Sequence, residues 1–229
     1  MGLLSTWDLS NLMEAKPSQG KNYPVPMAEA RHAIIVVNSR FIASLAPVFT
    51  VEQAKAFIAR IRVEFPDASH HVPAYLVGYG SSVIAHCSDA GEPSGTAGRP
   101  ALAVLQGSGL GDVAVVVTRY FGGTKLGTGG LVHAYGDAVK EVIARTPRAQ
   151  KLLTHTVMVG FHYRLLEQIR LLVAAYHGQV LDEDFAAEIT LTARFPVENF
   201  AAFQSGLLEL SSGKLQAEVI ETGMILVPL

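Results

Sequence analysis

A single cysteine, Cys87, stands in the 229 residues, so no internal disulfide can form and the composition fits a reducing compartment. No apolar run approaches the roughly 18 residues needed to cross a bilayer. Residues 1–22 have neither the basic start nor the apolar stretch of a signal peptide. A soluble, cytoplasmic protein without membrane attachment is expected. Charge is sparse too, at 17% of residues with a net value of −2, which gives no general positive coat for nucleic acid. No Cys/His spacing resembles a zinc site, and no cofactor or metal is expected.

What little charge there is falls unevenly. Residues 1–150 carry 13 basic against 11 acidic side chains, whereas residues 151–229 carry 5 against 9. An anion-binding surface therefore belongs in the first part. Hydrophobic residues make up 49% of the chain, enough for a core in one large domain or two modest ones.

Glycine is concentrated. "DAGEPSGTAGRP" (89–100) holds three, and "RYFGGTKLGTGGL" (119–131) holds five. An ordered glycine gives up more backbone entropy than any other residue, so such runs need a reason: a tight turn, close packing, or a ligand that must reach the backbone.

The rest of the chain places these loops. Residues 1–22 read as a mobile leader. "ARHAIIVVNSRFIASLAPV" is strand-like, with a turn near Asn38-Ser39. Thr50 opens a helix with Gln53 at capping-box spacing, and Val51, Ala54, Phe57, Ile58, Ile61 and Phe65 form its apolar stripe. "AYLVGYG" and "SSVIAHC" read as a hairpin entering the first glycine loop. A short helix around "PALAVLQG" and a continuous apolar strand "DVAVVVTRYF" follow. The second loop then enters a helix with Leu131, Tyr135, Ala138 and Val142 on one face. The pattern breaks at residues 145–150, giving a first domain over 23–146 and a second over 151–229.

The second domain reads β-α-β-β-α-β, the ferredoxin-like order. Its first helix stops at Gly178, and Ala187, Ile189, Leu191, Ala193 and Phe195 face inward. Pro196 begins its second helix. Thr, Glu and Arg fill the outward positions, so this sheet is not a base-stacking platform.

The second glycine loop lies between a strand and a helix start, where free N–H groups and the helix dipole favour anions. Gly122, Gly123, Gly127, Gly129 and Gly130 would admit a ligand to the backbone, with Arg119, Lys125 and Arg99 supplying charge. The spacing fits neither a Walker A loop nor a dinucleotide fingerprint. In the first loop Asp89, Glu92, Ser94, Gly95 and Thr96 are the candidates. Asp89 and Glu92 form an acid–base pair or cap the following helix, and Ser94 lacks the flanking glycine of a nucleophile elbow. His86 with Cys87, and His70 with His71, point to opposite faces as strand neighbours and read as structural. Cys87 is expected to be a mostly buried thiol.

"NSRFIASLAPV", "DAGEPSGTAGRPAL", "VVVTRYFGGTKLGTGGLVHAYGDAV" and the C-terminal βαββαβ pattern together resemble the YigZ/IMPACT family. The resemblance runs from about Tyr23 to the end. It implies an α+β protein with an N-terminal domain like domain 2 of ribosomal protein S5. The C-terminal domain would resemble the last domain of the translocase elongation factor. It implies partners in RNA, the ribosome or the translation machinery, since eukaryotic relatives restrain activation of an amino-acid-starvation kinase. It also departs from the family: the usual paired acids before Gly91 are here Asp89-Ala90, and "HHV" (70–72) replaces a run containing cysteine. Both departures weigh against an enzyme. The expectation is a non-enzymatic, translation-associated binding protein. A protein–protein regulator, or a hydrolase or transferase using Asp89, Glu92 and Ser94, are the alternatives.

Overall fold

The computed structural model describes residues 23–229, and the leader reading of residues 1–22 lies outside them. The described residues divide into two compact units, 23–151 with 226–229, and 152–225. Together they hold two five-stranded sheets and five α-helices, an α+β protein.

The first unit contains β1 (Pro24–Pro26), β2 (Ala30–Val36), β3 (Ser39–Pro47), α1 (Val51–Glu64), β4 (His70–Val77) and β5 (Ile84–Cys87). It continues through α2 (Gly98–Gly107), β6 (Val113–Tyr120) and α3 (Gly127–Ala144). Its sheet runs β2-β3-β6-β4-β5, with every neighbouring pair antiparallel. β6 is central and covered on both sides, which explains its unbroken apolar sequence. Val113, Val115 and Val117 lie beneath α2 and α3, while Ala114 and Val116 lie beneath α1.

α1 forms as its sequence indicates. The Thr50 hydroxyl accepts from Gln53 N–H at 3.1 Å, and the Gln53 side chain accepts from Phe49 N–H at 2.7 Å, one residue earlier than the usual reciprocal cap. Ala54, Phe57, Ile58 and Ile61 are its buried stripe. The β2–β3 turn is tight, with Val37 and Asn38 both left-handed at φ of 43° and 65°.

The second unit takes β7 (Arg148–Phe161) from Leu152 onward, then α4 (Leu166–Ala175), β8 (Gln179–Phe185), β9 (Ile189–Pro196), α5 (Val197–Leu210) and β10 (Glu218–Pro228) as far as Ile225. The order β10-β7-β9-β8 is the ferredoxin-like arrangement. Val157, Val159, Ile189, Leu191 and Phe195 form its core with Ile169, Phe203 and Leu207 from the helices. The region where the sequence pattern breaks is strand, because residues 148–150 pair with β1.

Three local expectations change. α4 ends with His177 in the left-handed region at φ 57°. Gly178 is required instead because a Cβ there would sit 2.3 Å from the Phe195 ring. Ala187 is exposed, since β9 starts only at Ile189. Pro196 is the last residue of β9 and the N-cap of α5, one position before the first helical residue. Among the described residues no helix is long and apolar enough to cross a membrane.

Candidate functional site: two glycine loops joined by a buried carboxylate

Strand register builds the site. β6 pairs with β3 and β4 so that Phe41 and His70 both lie opposite Arg119, on the face that α2 and α3 cover. The first glycine loop leads to α2 and the second to α3, so both arrive at this end of the sheet.

Glu92 of the first loop joins them. Its Oε1 accepts from Arg119 Nη1 at 2.6 Å and from the Tyr135 hydroxyl at 2.7 Å, with His70 Nε2 3.8 Å away. Arg119 Nη2 also donates to Ser39 Oγ at 3.3 Å. Burial, then the adjoining carboxylate, pushes the Tyr135 hydroxyl far above its ordinary range. It remains a proton donor at any physiological pH.

This corrects the expectation for Arg119. The sequence offers it as a contact for RNA phosphate, but it is only 5% exposed and its charge is met by Glu92. A buried guanidinium needs such a partner, because desolvating it alone is costly. Glu92 is likewise engaged and is not a free acid or base.

Asp89 has a comparable task. Its Oδ2 accepts from Gly95 N–H at 2.8 Å. Its Oδ1 accepts from Ala97 and Gly98 N–H at 3.1 and 2.8 Å. The chain's own carboxylate thus occupies the N-terminus of α2 and folds the loop around it. Partial burial works against the charge, yet the three N–H groups together hold the Asp89 carboxyl below its usual range. A carboxyl more acidic in the folded state stabilises fully above its unfolded pKa, about 3.9, and that stabilisation is lost as pH falls through the folded value. Asp89→Asn should therefore cost about 1–3 kcal/mol at pH 7. The gap between variant and wild type should narrow in urea titrations as the pH falls past the unfolded pKa and through the lower folded one. A gap independent of pH would show that the charge is not what binds the loop.

The remaining first-loop residues divide simply. The Thr96 hydroxyl donates to Pro93 O at 2.6 Å and is buried, Gly95 is left-handed at φ 77°, and Ser94 is exposed. Cys87 is only half-buried, because β5 is an edge strand. Burial, with Asp89 nearby, raises its thiol.

In the second loop the glycines have different reasons to be there. A Cβ on Gly122 would lie 2.1 Å from the Asn38 carbonyl carbon, so the β2–β3 turn occupies that space. Gly123 and Gly127 are left-handed, and Gly130 packs on Leu126. Gly129 has a helical position and nothing within 4 Å of its missing side chain. Whereas Asp89 caps α2, no side chain among the described residues caps α3, and Lys125 is exposed beside it. Arg99 is exposed in the first turn of α2.

The roles of Tyr135, His70 and Ser39 escaped sequence reading. Tyr135 carries the signal of a core helix face, and only strand register brings His70 and Ser39 to Arg119.

The Impact N-terminal domain matches residues 37–143, which include both loops, and a domain of unknown function, DUF1949, matches residues 159–214. The IMPACT family member YigZ of Escherichia coli (strain K12) is 39% identical over 204 residues, covering 88% of this chain and 99% of that protein. The chain belongs to the IMPACT family. A second IMPACT family member, YvyE of Bacillus subtilis (strain 168), is 34% identical and covers 80% of this chain and 84% of its own length. A crystal structure described as that of a hypothetical protein superposes with a TM-score of 0.59 at 37% identity. It covers 88% of this chain and 98% of that one. The stretch that matches the Impact N-terminal domain takes in the two loops that Glu92 and Arg119 join.

Proposed function

We propose that this protein is a non-enzymatic, translation-associated RNA-binding protein, seating backbone phosphate against the exposed loop from Gly123 to Gly130 at the start of α3. Gly129 carries the reading. Neither its backbone angles nor any neighbour demands glycine there, whereas a ligand approaching the helix N-terminus does. Leu126, the residue before α3, offers no side-chain cap to its first N–H groups, which lie at the positive end of the helix dipole. Lys125 stands beside them with no acidic partner among the described residues, and Arg99 is a second exposed cation. The translational setting follows from the family resemblance. Binding is favoured over hydrolase or transferase chemistry because Asp89 and Glu92 are both engaged in holding the loops.

With Arg119 withdrawn, two cations remain. The logarithm of affinity should then fall with that of salt at a slope of about −1.4 for single strands, or roughly sevenfold between 50 and 200 mM. Lys125→Ala should weaken binding alike for all sequences and flatten that slope by about 0.7. Gly129→Ala should raise helix stability by up to about 1 kcal/mol while weakening RNA binding, a split that a packing role does not produce. Fluorescence anisotropy with labelled RNA, paired with thermal unfolding, measures both. Association that ignores salt and survives both substitutions overturns the phosphate reading and favours a protein partner.

A further inference from the structure

We infer that Phe121 is a base-stacking platform, so that the RNA held by the neighbouring loop is single-stranded. This rests on the phosphate reading above and adds the form of nucleic acid to it. Phe121 follows β6 directly and is 48% exposed. A single exposed hydrophobic side chain needs no explanation in general. What distinguishes this one is how firmly it is held.

Its N–H donates to Ser69 Oγ at 3.1 Å, while Ser69 N–H donates to Arg119 O at 2.8 Å. The guanidinium of Arg119 lies 5.5 Å from the Phe121 ring centroid and 5.3 Å from that of Phe41. Glu92 and Ser39 fix that guanidinium in turn. The buried pair thus braces two aromatic rings, Phe41 in the core and Phe121 at the surface.

A braced ring loses little freedom when something stacks on it, which favours binding. Gly123 lies two residues beyond Phe121 with nothing within 4 Å of its missing side chain, and Lys125 lies four residues on, exposed and with no acidic partner among the described residues. A flat ring followed by a cation and open backbone matches a nucleotide, with its planar base and anionic linkage. Bases in an A-form duplex are already stacked and its deep groove is closed to side chains, so the ring selects unpaired bases. Every base has a stackable face, so selectivity among sequences should be weak.

The test compares uridylate and adenylate single strands of about a dozen nucleotides with a duplex of equal length, by fluorescence anisotropy. Wild type should bind both single strands more tightly than duplex. Phe121→Leu should weaken single-strand binding roughly 5- to 100-fold while leaving the salt slope unchanged. Phe121→Trp should keep affinity within about threefold of wild type, since it retains a stacking ring. Lys125-dependent binding that treats duplex and single strand alike, or is indifferent to Phe121→Leu, overturns the stacking platform and leaves the phosphate reading standing. No salt-dependent binding of any probe overturns both. Equal losses in Phe121→Leu and Phe121→Trp also overturn the platform, because the ring itself would then not matter.

Discussion

Glu92→Ala is expected to lower the unfolding free energy by about 3–5 kcal/mol, a large share of a typical domain's total. The substitution strands the Arg119 charge in a site that is almost closed to water. It also leaves the Tyr135 hydroxyl without its acceptor. The cost is mainly that of the unpaired partner, so it should be partly recoverable. Glu92→Leu combined with Arg119→Met should be markedly more stable than Glu92→Ala, because replacing a whole buried pair by apolar groups is often close to neutral. Urea titrations followed by far-ultraviolet circular dichroism measure all three proteins. A loss under about 1 kcal/mol for Glu92→Ala would mean that the pair does not fasten the two loops together.

Gly122→Ala is expected to be as damaging for a different reason. The added Cβ would lie 2.1 Å from both the carbonyl carbon and oxygen of Asn38, and 2.5 Å from Ser39 N. These are backbone atoms of a tight turn, so no flexible side chain can swing aside. Val37 and Asn38 are already left-handed there, and a β-branched residue such as Val37 holds that conformation under strain. A loss of about 3 kcal/mol or more follows, or failure to fold. Gly129→Ala, seven residues later, is expected to have the opposite sign. Thermal unfolding of the two variants side by side checks the contrast. A mild Gly122→Ala would show that the turn can retreat.

The contrast also shows how far the sequence could be read. Local signals were legible: the Thr50 cap, the α1 stripe, the α3 core face and the βαββαβ order all depend on residues close together in the chain. Within the site, the position of both loops before helix starts was legible for the same reason. The fate of Arg119 was not, because an arginine followed by a glycine-rich loop looks the same whether or not a distant glutamate neutralises it. Nor could the glycines be separated. Gly122 and Gly129 differ only in what the fold brings beside them, and the turn that crowds Gly122 lies in a hairpin far earlier in the chain. Asp89 and Glu92 stand out in the sequence as candidates, but whether they cap, pair or catalyse depends on hydrogen bonds that sequence does not display.

The central place of β6 constrains the order in which the protein can be made. β3 and β4 are synthesised before β6, yet neither pairs with the other; both pair with β6. A nascent chain ending before Val113 holds two apolar strands with a vacant slot between them, and unpaired edges of that kind invite pairing with other chains. The same chain already carries Glu92 but has neither Arg119 nor Tyr135 to receive it. The sheet of the first unit therefore closes late, only once β6 has left the ribosome and filled the slot. Stalling translation between the first and second glycine motifs should yield chains that are protease-sensitive and prone to aggregate, whereas chains extended past α3 should resist digestion.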